Sequence, residues 1–246
     1  MNTVRRRRFA ALASVVTALL LLAPLSHAGG FFVSPVRVTL SSAEPIAAIV
    51  VQNSGSEPAL VQLRSTRWLQ INGADHYEAS DELLATPPIF TVPPGGRQVV
   101  RLGLRRAGGA HREGTFRLYL EEVPSVASQR AGGAQVALRL GIPVFVQPAI
   151  TGPQALQWTL VRAADGGMMI ACSNTGATHA RIASVALSVP GSASPLVEQQ
   201  VAADVHAEGR SEWKVRAGAA GLNAGSRVRL SAVTERGIET AEVLVP

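Results

Sequence analysis

The sequence predicts an all-β protein made of two β-sandwich domains. Apolar and polar residues alternate with a period of two in many short segments, such as 36–40, 99–104 and 116–120. Turn-forming residues separate these segments, as at Asn72-Gly73 and 93–96. We find no convincing amphipathic helix pattern. Short alternating strands divided by Gly, Pro and Asn turns are typical of antiparallel sandwiches.

Two series of candidate strands divide the chain. The first series ends in one unusually long candidate strand, 131–147. The second series has candidate strands near 155–162, 167–173, 179–189, 210–216, 226–234 and 237–245. A short segment rich in Pro and Gly lies between the two series. We therefore predict a first domain over 29–148, a linker over 149–153 and a second domain over 154–246.

The first 28 residues have the composition of a secretory signal peptide. Four arginines precede an uncharged apolar run over 9–22, and Ser26-His27-Ala28 offers a small-residue cleavage site. The run is shorter than the ~20 apolar residues that usually span a bilayer. We predict export, cleavage near Ala28 and no stable membrane insertion. The basic head fits the general and the twin-arginine routes alike.

Removal of this signal changes the charge of the chain. The full sequence has a net charge of +6, and loss of four arginines leaves 19 basic and 17 acidic residues, a net charge of +2. Most of the basic character therefore belongs to targeting, and we predict no nucleic-acid partner. Cys172 is the only cysteine, so no intramolecular disulfide can form and packing must supply the stability.

No residue pattern predicts catalysis. Four scattered histidines remain in the mature chain: His76, His111, His179 and His206. None of them lies in a nucleophile or metalloprotease motif. Glu121 and Glu122 are adjacent on a candidate strand, so they point to opposite faces and cannot share acid–base work. We predict a protein that is not an enzyme and has no cofactor.

One group of soft side chains raises the alternative of a copper site. Its members are Met168, Met169, Cys172 and His179. Their spacing follows no ligand motif, and Met and Cys commonly fill strand cores. We predict no metal site.

Several motifs occur in an order that indicates a family. In the first domain they are Ser34-Pro35-Val36-Arg37-Val38, Asn53-Ser54-Gly55, Ala85-Thr86-Pro87-Pro88-Ile89-Phe90, Arg112-Glu113-Gly114-Thr115-Phe116-Arg117-Leu118 and Gly141-Ile142-Pro143-Val144-Phe145. Together these resemble the N-terminal domain of the PapD-like periplasmic pilus chaperones. In the second domain, the stretch 174–181, Asn-Thr-Gly-Ala-Thr-His-Ala-Arg, is similar to the archaic branch that serves Csu-type and spore-coat-U-like pili.

The resemblance implies an architecture, a location and partners. The two sandwiches would be immunoglobulin-like and arranged as an L, in a periplasmic chaperone for pilus or fimbrium assembly. Its partners would be pilus, fimbrial or spore-coat-U-like subunits, and then an outer-membrane usher.

The family mechanism is strand addition, in which the chaperone lays a β-strand into a subunit that lacks one. The corresponding donor strand would be 134–147. Its period of two places four apolar residues on one face: Val136, Leu138, Leu140 and Ile142. We expect these to enter the subunit groove. The alternative is that they pack into the protein's own sandwich.

Family chaperones also hold the subunit's C-terminal carboxylate with basic residues in an interdomain cleft. Arg37 matches the first-strand arginine of that site, and Arg117 matches an arginine of the archaic branch. Pro143 stands where the better-studied branch has a lysine. The alternative for Arg117 is the solvent face of the sheet. Glu113 matches an acidic residue that links the domains, but Gln147 replaces its arginine partner, so we do not expect that bridge.

A rival interpretation is a secreted structural or glycan-binding sandwich protein. The signal peptide and the two sandwiches fit both interpretations equally well. A basic cleft and a long exposed donor strand would distinguish the chaperone.

Overall fold

The computed structural model describes residues 30–105, 111–124, 137–149, 152, 155–192, 194–215 and 222–246. These residues form seventeen β-strands and no helix. Within the same ranges, no helix has the length and apolarity needed to cross a membrane.

The first ten strands build one sandwich. They are β1 (Phe31–Ser34), β2 (Val38–Leu40), β3 (Ile46–Asn53), β4 (Ala59–Ile71), β5 (Ala74–Ala79), β6 (Leu83–Thr86), β7 (Ile89–Val92), β8 (Arg97–Leu104), β9 (Gly114–Val123) and β10 (Arg139–Val146). One sheet has the order β1-β3-β8-β6. The other has the order β2-β10-β9-β4-β5, with β7 also paired to β4.

Alternating burial explains why these segments form strands around a common core. In β8, Val100 and Leu102 point inward and are almost fully buried, whereas Arg97 and Arg101 face solvent. The inward residues of both sheets meet in one cluster, which includes Leu118 and Val144. Burial of each such side chain stabilises the fold by about 1.5–3 kcal/mol.

The segment 31–40 contributes to both sheets of the first sandwich. β1 pairs with β3 in one sheet, whereas β2 runs parallel to β10 in the other. The intervening loop therefore crosses from sheet to sheet, and it places Arg37 directly before Val38, which is paired with Val144 of β10.

The last seven strands build a second sandwich. They are β11 (Leu156–Arg162), β12 (Met168–Asn174), β13 (Ala180–Ser188), β14 (Val197–Val205), β15 (Arg210–Lys214), β16 (Arg227–Thr234) and β17 (Gly237–Leu244). Its sheets have the orders β11-β12-β15 and β14-β13-β16-β17. A separate apolar cluster, which includes Ile170, Ile182 and Leu230, lies between them.

The structure confirms the predicted all-β class and the two sandwiches. The domain bounds and the L-shaped arrangement stay predictions, and most of the predicted linker, 149–153, lies outside the described residues. The long candidate strand 131–147 is described from residue 137 onward and is a strand over Arg139–Val146.

Two of the strands that were not predicted, β5 and β14, lack a regular apolar alternation. In β14, Gln199 occupies an inward position, where its side-chain amide donates to the Lys214 carbonyl at 3.2 Å. In β5, all six residues are exposed, and the strand is held by backbone pairing with β4. A polar sequence can therefore form a strand when a neighbouring backbone supplies the ladder.

The buried thiol of Cys172 yields a prediction about reactivity and stability. Burial in the second core raises the pKa of Cys172 to about 12, so the thiol stays protonated and unreactive at about pH 8.5. We expect iodoacetamide to modify Cys172 slowly in the native protein and rapidly in urea. Cys172→Ser should lower the free energy of unfolding by ~1–3 kcal/mol, since it buries a hydroxyl among apolar groups.

Cys172→Ala is the matched control, because it leaves no polar atom in the core. Urea unfolding of both variants measures the difference. Equal alkylation rates in the native and unfolded states would contradict the assignment of Cys172 to the core.

Candidate functional site

A cavity of about 580 Å³ opens between the two sandwiches. The first domain contributes Arg37 and Arg117 to its lining, and the second contributes Arg181 and Asp204. The structure thus brings together the two arginines that the family resemblance singles out, and it adds a third cation from the other domain.

Arg37 reaches the cavity from the loop between β1 and β2. Its Nη2 donates to Asp204 Oδ1 at 2.9 Å, and its Nη1 lies 3.3 Å from His179 Nε2. The guanidinium carbon also lies 5.3 Å from the centre of the Phe145 ring. Arg37 is therefore oriented by the second domain while part of its side chain stays open to the cavity.

Arg117 is held by aromatic rings. Its guanidinium carbon lies 4.0 Å from the centre of the Trp68 ring and 5.9 Å from that of Tyr77. Burial raises the pKa of Tyr77, and a hydrogen bond with Arg117 partly opposes that rise. Of the carboxylates in the described part of the chain, none is within ion-pair distance of Arg117. Cation–π contacts orient this charge without neutralising it.

β10 lies beside Arg117 and gives it room. Pro143 is paired with Arg117 in the antiparallel register, and Gly141 is paired with Tyr119. A Cβ on Gly141 would lie 3.2 Å from Tyr119 Cε1 and 3.3 Å from Arg117 Cδ. The missing side chain of Gly141 therefore lets Arg117 and Tyr119 lie across the strand.

A buried carboxylate fixes the two domains together beside the cavity. Glu113 Oε2 accepts hydrogen bonds from the backbone nitrogen and from Nδ1 of His179, each at 2.7 Å. The His179 ring stacks on Phe145, with 3.7 Å between ring centres and an angle of 8°. Because Nδ1 carries its hydrogen toward Glu113, Nε2 is left to accept from Arg37.

The family resemblance predicts Glu113 as an interdomain residue and excludes only its bridge to an arginine at position 147. His179, which lies in the second domain, takes the place of the arginine that Gln147 replaces. The signal that could have identified His179 was its position in the 174–181 motif, two residues before Arg181.

A second group of contacts supports the same interface. Gln70 Oε1 accepts from the His206 backbone nitrogen at 2.9 Å, and Gln70 Nε2 donates to the Asp204 carbonyl at 2.8 Å. The His206 ring meets the Trp68 ring edge-on at 4.2 Å. The Trp68 ring that holds Arg117 thus belongs to a packed interdomain contact, which fixes the position of the ring.

The predicted donor strand has a partly unpaired edge. One edge of β10 is paired with β9 along all of β10, whereas on the other edge β2 pairs only with the segment 144–146. Among the described strands, nothing pairs with the second edge of β10 over 139–143. Strand addition requires such a free edge.

The four predicted donor side chains have different surroundings. Ile142 is 4% exposed and belongs to the protein's own core, which corrects the expectation that it enters a partner's groove. Leu140 is half-buried against the same core, and Leu138 is half-buried near the start of β10. Val136 lies outside the described residues. Leu138, Leu140 and Ile142 alternate along the chain because they continue the inward face of β10.

Two of the four soft side chains have different surroundings. Cys172 is buried in the second core, whereas His179 lies at the domain interface on Glu113. Over the described ranges, no three His, Cys, Asp or Glu side chains are grouped so that they could hold a metal ion.

Comparison with known proteins finds a family that matches the first domain. Residues 30–151 match the family described as pili and flagellar-assembly chaperone, PapD N-terminal domain. The chaperone protein FimB/FhaD of Bordetella pertussis is 28% identical over 152 residues, which cover 58% of this chain and 60% of that protein. The matched region thus spans about three-fifths of that relative's length.

Solved structures of chaperones share the fold. The CsuC–CsuE chaperone–tip adhesion subunit complex of Acinetobacter baumannii matches with a TM-score of 0.66 and 20% identity, over 87% of this chain and 98% of the matched chain. The YadV chaperone matches with a TM-score of 0.60 and 19% identity, over 86% and 98%. The class 5 fimbriae chaperone CfaA matches with a TM-score of 0.56 and 14% identity, over 87% and 99%.

The buried imidazole of His206 predicts a pH-dependent stability. Burial lowers the pKa of His206 from 6.5 to about 4. Between those values the unfolded chain binds a proton that the folded protein does not bind, so the free energy of unfolding falls as the pH decreases from about 6.5 to about 4. The full loss is about 3 kcal/mol, and stability from this group is complete above the unfolded pKa.

Urea unfolding at about pH 7.5 and about pH 4.5 measures this effect. His206→Phe should reduce the loss of stability on acidification, because it removes the group that titrates. His76→Gln, a change on the exposed strand β5, serves as control. An acid-induced loss in His206→Phe as large as that of the wild type would refute the assignment.

Proposed function

Because this chain belongs to the PapD-like family of pilus-assembly chaperones, whose N-terminal domain it carries over 30–151, we propose that it binds pilus subunits in the periplasm by strand addition. The cleft holds the C-terminal carboxylate of the subunit, and β10 lies in the groove that the missing subunit strand leaves. The chaperone then delivers the subunit to an outer-membrane usher. The export signal predicted over 1–28 fits this location.

One observation carries the proposal: two arginines of the first domain line one interdomain cavity, and the charge of one of them is not neutralised. Arg117 lies on the Trp68 ring, with no described carboxylate in ion-pair distance. A planar guanidinium that is held in place and keeps free donors is suited to bind a carboxylate in a bidentate manner. The C-terminus of a polypeptide is such a group.

The edge of β10 supports the second half of the proposal. The segment 139–143 has one free edge beside the half-buried side chains of Leu138 and Leu140. A free edge offers backbone donors and acceptors, and neighbouring apolar side chains offer area to bury. A subunit strand that pairs here starts close to the cavity, because Pro143 lines it.

The same features weigh against a glycan-binding role. Guanidinium groups prefer carboxylates and phosphates over neutral hydroxyls. The cavity presents three of them, from Arg37, Arg117 and Arg181. An anionic ligand therefore fits the lining better than a neutral sugar.

We also propose that the subunits belong to the Csu or spore-coat-U type. The motif over 174–181 supplies His179 to the interdomain contact with Glu113. The fold likeness to a chaperone from an archaic Csu complex agrees with this assignment.

The anchor assignment predicts the effect of removing either arginine. Co-expression of the chain with subunits encoded by neighbouring genes should yield a 1:1 complex. Arg37→Ala and Arg117→Ala should each abolish its recovery, since leaving a buried carboxylate underpaired costs ~2–5 kcal/mol. The melting temperature should change little, because Asp204 keeps Arg181 as a partner and Arg117 has no described ion pair.

Arg64→Ala is the matched control, since Arg64 lies on the same sheet, is largely exposed and pairs only with Glu121 among the described residues. Normal yields of complex with both cavity variants would exclude them as the anchor.

The donor strand predicts a separation between binding and folding. Leu138→Glu should abolish the complex and leave the melting temperature of the free protein unchanged, because a charge would enter an apolar groove of the partner. Ile142→Glu should lower the melting temperature strongly, because Ile142 lies in the protein's own core. The measurements are thermal unfolding and yield of complex.

A large loss of stability in Leu138→Glu would mean that this side chain packs into its own sandwich. The donor face would then have to begin before residue 138.

A further inference from the structure

We propose that Arg181 of the second domain is a third ligand of the bound carboxylate, and that Asp204 positions Arg181 and Arg37 for it. This inference rests on the proposed function and adds to it a direct role for the second domain. The anchor then closes across the two domains.

The geometry of Arg181 suits it for this role. It is the second residue of β13, and it lines the same cavity as Arg37 and Arg117. Its Nη1 donates to Asp204 Oδ2 at 3.0 Å. The side chain is 38% exposed, so further N–H groups of the guanidinium, which has five, remain available to a ligand.

Asp204 connects the two arginines through separate oxygens. Oδ1 accepts from Arg37 of the first domain, and Oδ2 accepts from Arg181 of its own domain. The Asp204 side chain is 5% exposed, and its backbone is paired with that of Arg181 in the register of β13 and β14. A carboxylate with little freedom to move thus fixes the orientation of two partly exposed guanidinium groups.

The charge balance leaves the pair able to bind an anion. One carboxylate shared by two guanidinium groups leaves one positive charge. Glu235 lies 3.7 Å from Arg37 but is 42% exposed, so its contribution is small. Glu212, which also lines the cavity, is paired with Arg210. Asp75 also lines the cavity and forms no ion pair with the three arginines. Three arginines against Asp75 and Asp204 leave the lining a net charge of 3 − 2 = +1.

The contacts of Asp204 show that one carboxylate can bind an arginine from each domain at the same time. A terminal carboxylate that enters from the cavity meets the remaining donors of the same two groups together with Arg117. Because the contacts come from both domains, ligand binding and the relative position of the domains must favour each other.

The test compares two forms of one peptide. The peptide has the C-terminal sequence of the subunit that co-purifies with the wild-type chain, and it is prepared as a free acid and as a C-terminal amide. Isothermal titration measures both affinities. We expect Arg181→Ala to weaken the acid peptide by about tenfold or more and to leave the amide peptide unchanged. Arg181→Lys, which keeps the charge, should recover part of the loss.

Arg227→Ala is the control, because Arg227 is an exposed arginine of the second domain that pairs with Glu242, and neither residue lines the cavity. A purely structural role of Arg181 would weaken both peptides equally, and that result would overturn the proposal. If the wild type itself does not prefer the acid, the proposed anchor fails. If the wild type prefers the acid peptide and Arg181→Ala shows the same preference, the anchor stands and only the role of Arg181 fails.

Asp204→Asn tests the positioning role. The change removes one negative charge from the cavity, so a purely electrostatic effect would tighten the binding of the acid peptide. We expect weaker binding, because Arg37 and Arg181 lose the carboxylate that orients both of them. Tighter binding would show that Asp204 competes with the ligand, and it would overturn the positioning role.

Discussion

The burial of the Glu113 carboxylate is the constraint on which the cleft depends. A buried carboxylate is strongly destabilising unless hydrogen bonds satisfy it. Both hydrogen bonds of Glu113 Oε2 come from His179 in the other domain, 66 residues away in sequence. Among the described residues the first sandwich donates no side-chain hydrogen bond to this carboxylate, and the second sandwich docks where His179 reaches it. That docking brings Arg181 and Asp204 to the cavity.

The arginines of the cleft are held in fixed orientations without being fully neutralised by carboxylates. An arginine paired with a carboxylate is well oriented but largely neutralised. Arg117 is oriented by the Trp68 ring instead, and Arg37 shares its carboxylate with a second arginine. Both solutions restrict the guanidinium while leaving donors and charge for a ligand. Pre-organisation of this kind reduces the entropy lost on binding.

In the proposed function the open edge of β10 has the opposite requirement, since it would have to remain unpaired until the partner arrives. Natural sheets usually protect such edges, because an exposed edge can pair with other chains. Here the segment 144–146 is covered by β2, and only 139–143 is open among the described strands. The exposed part is short, and it ends beside Pro143 at the cavity, so the two parts of the site are adjacent.

The sequence by itself determined the all-β class and the two sandwiches, because alternation of apolar residues reports local burial within each strand. The family motifs selected Arg37 and Arg117 but gave no contacts for them. Only the tertiary structure decided that His179 binds Glu113 and that Ile142 faces inward. Alternation is a local property, whereas these contacts join side chains far apart in the chain, whose meeting depends on how the two sandwiches pack.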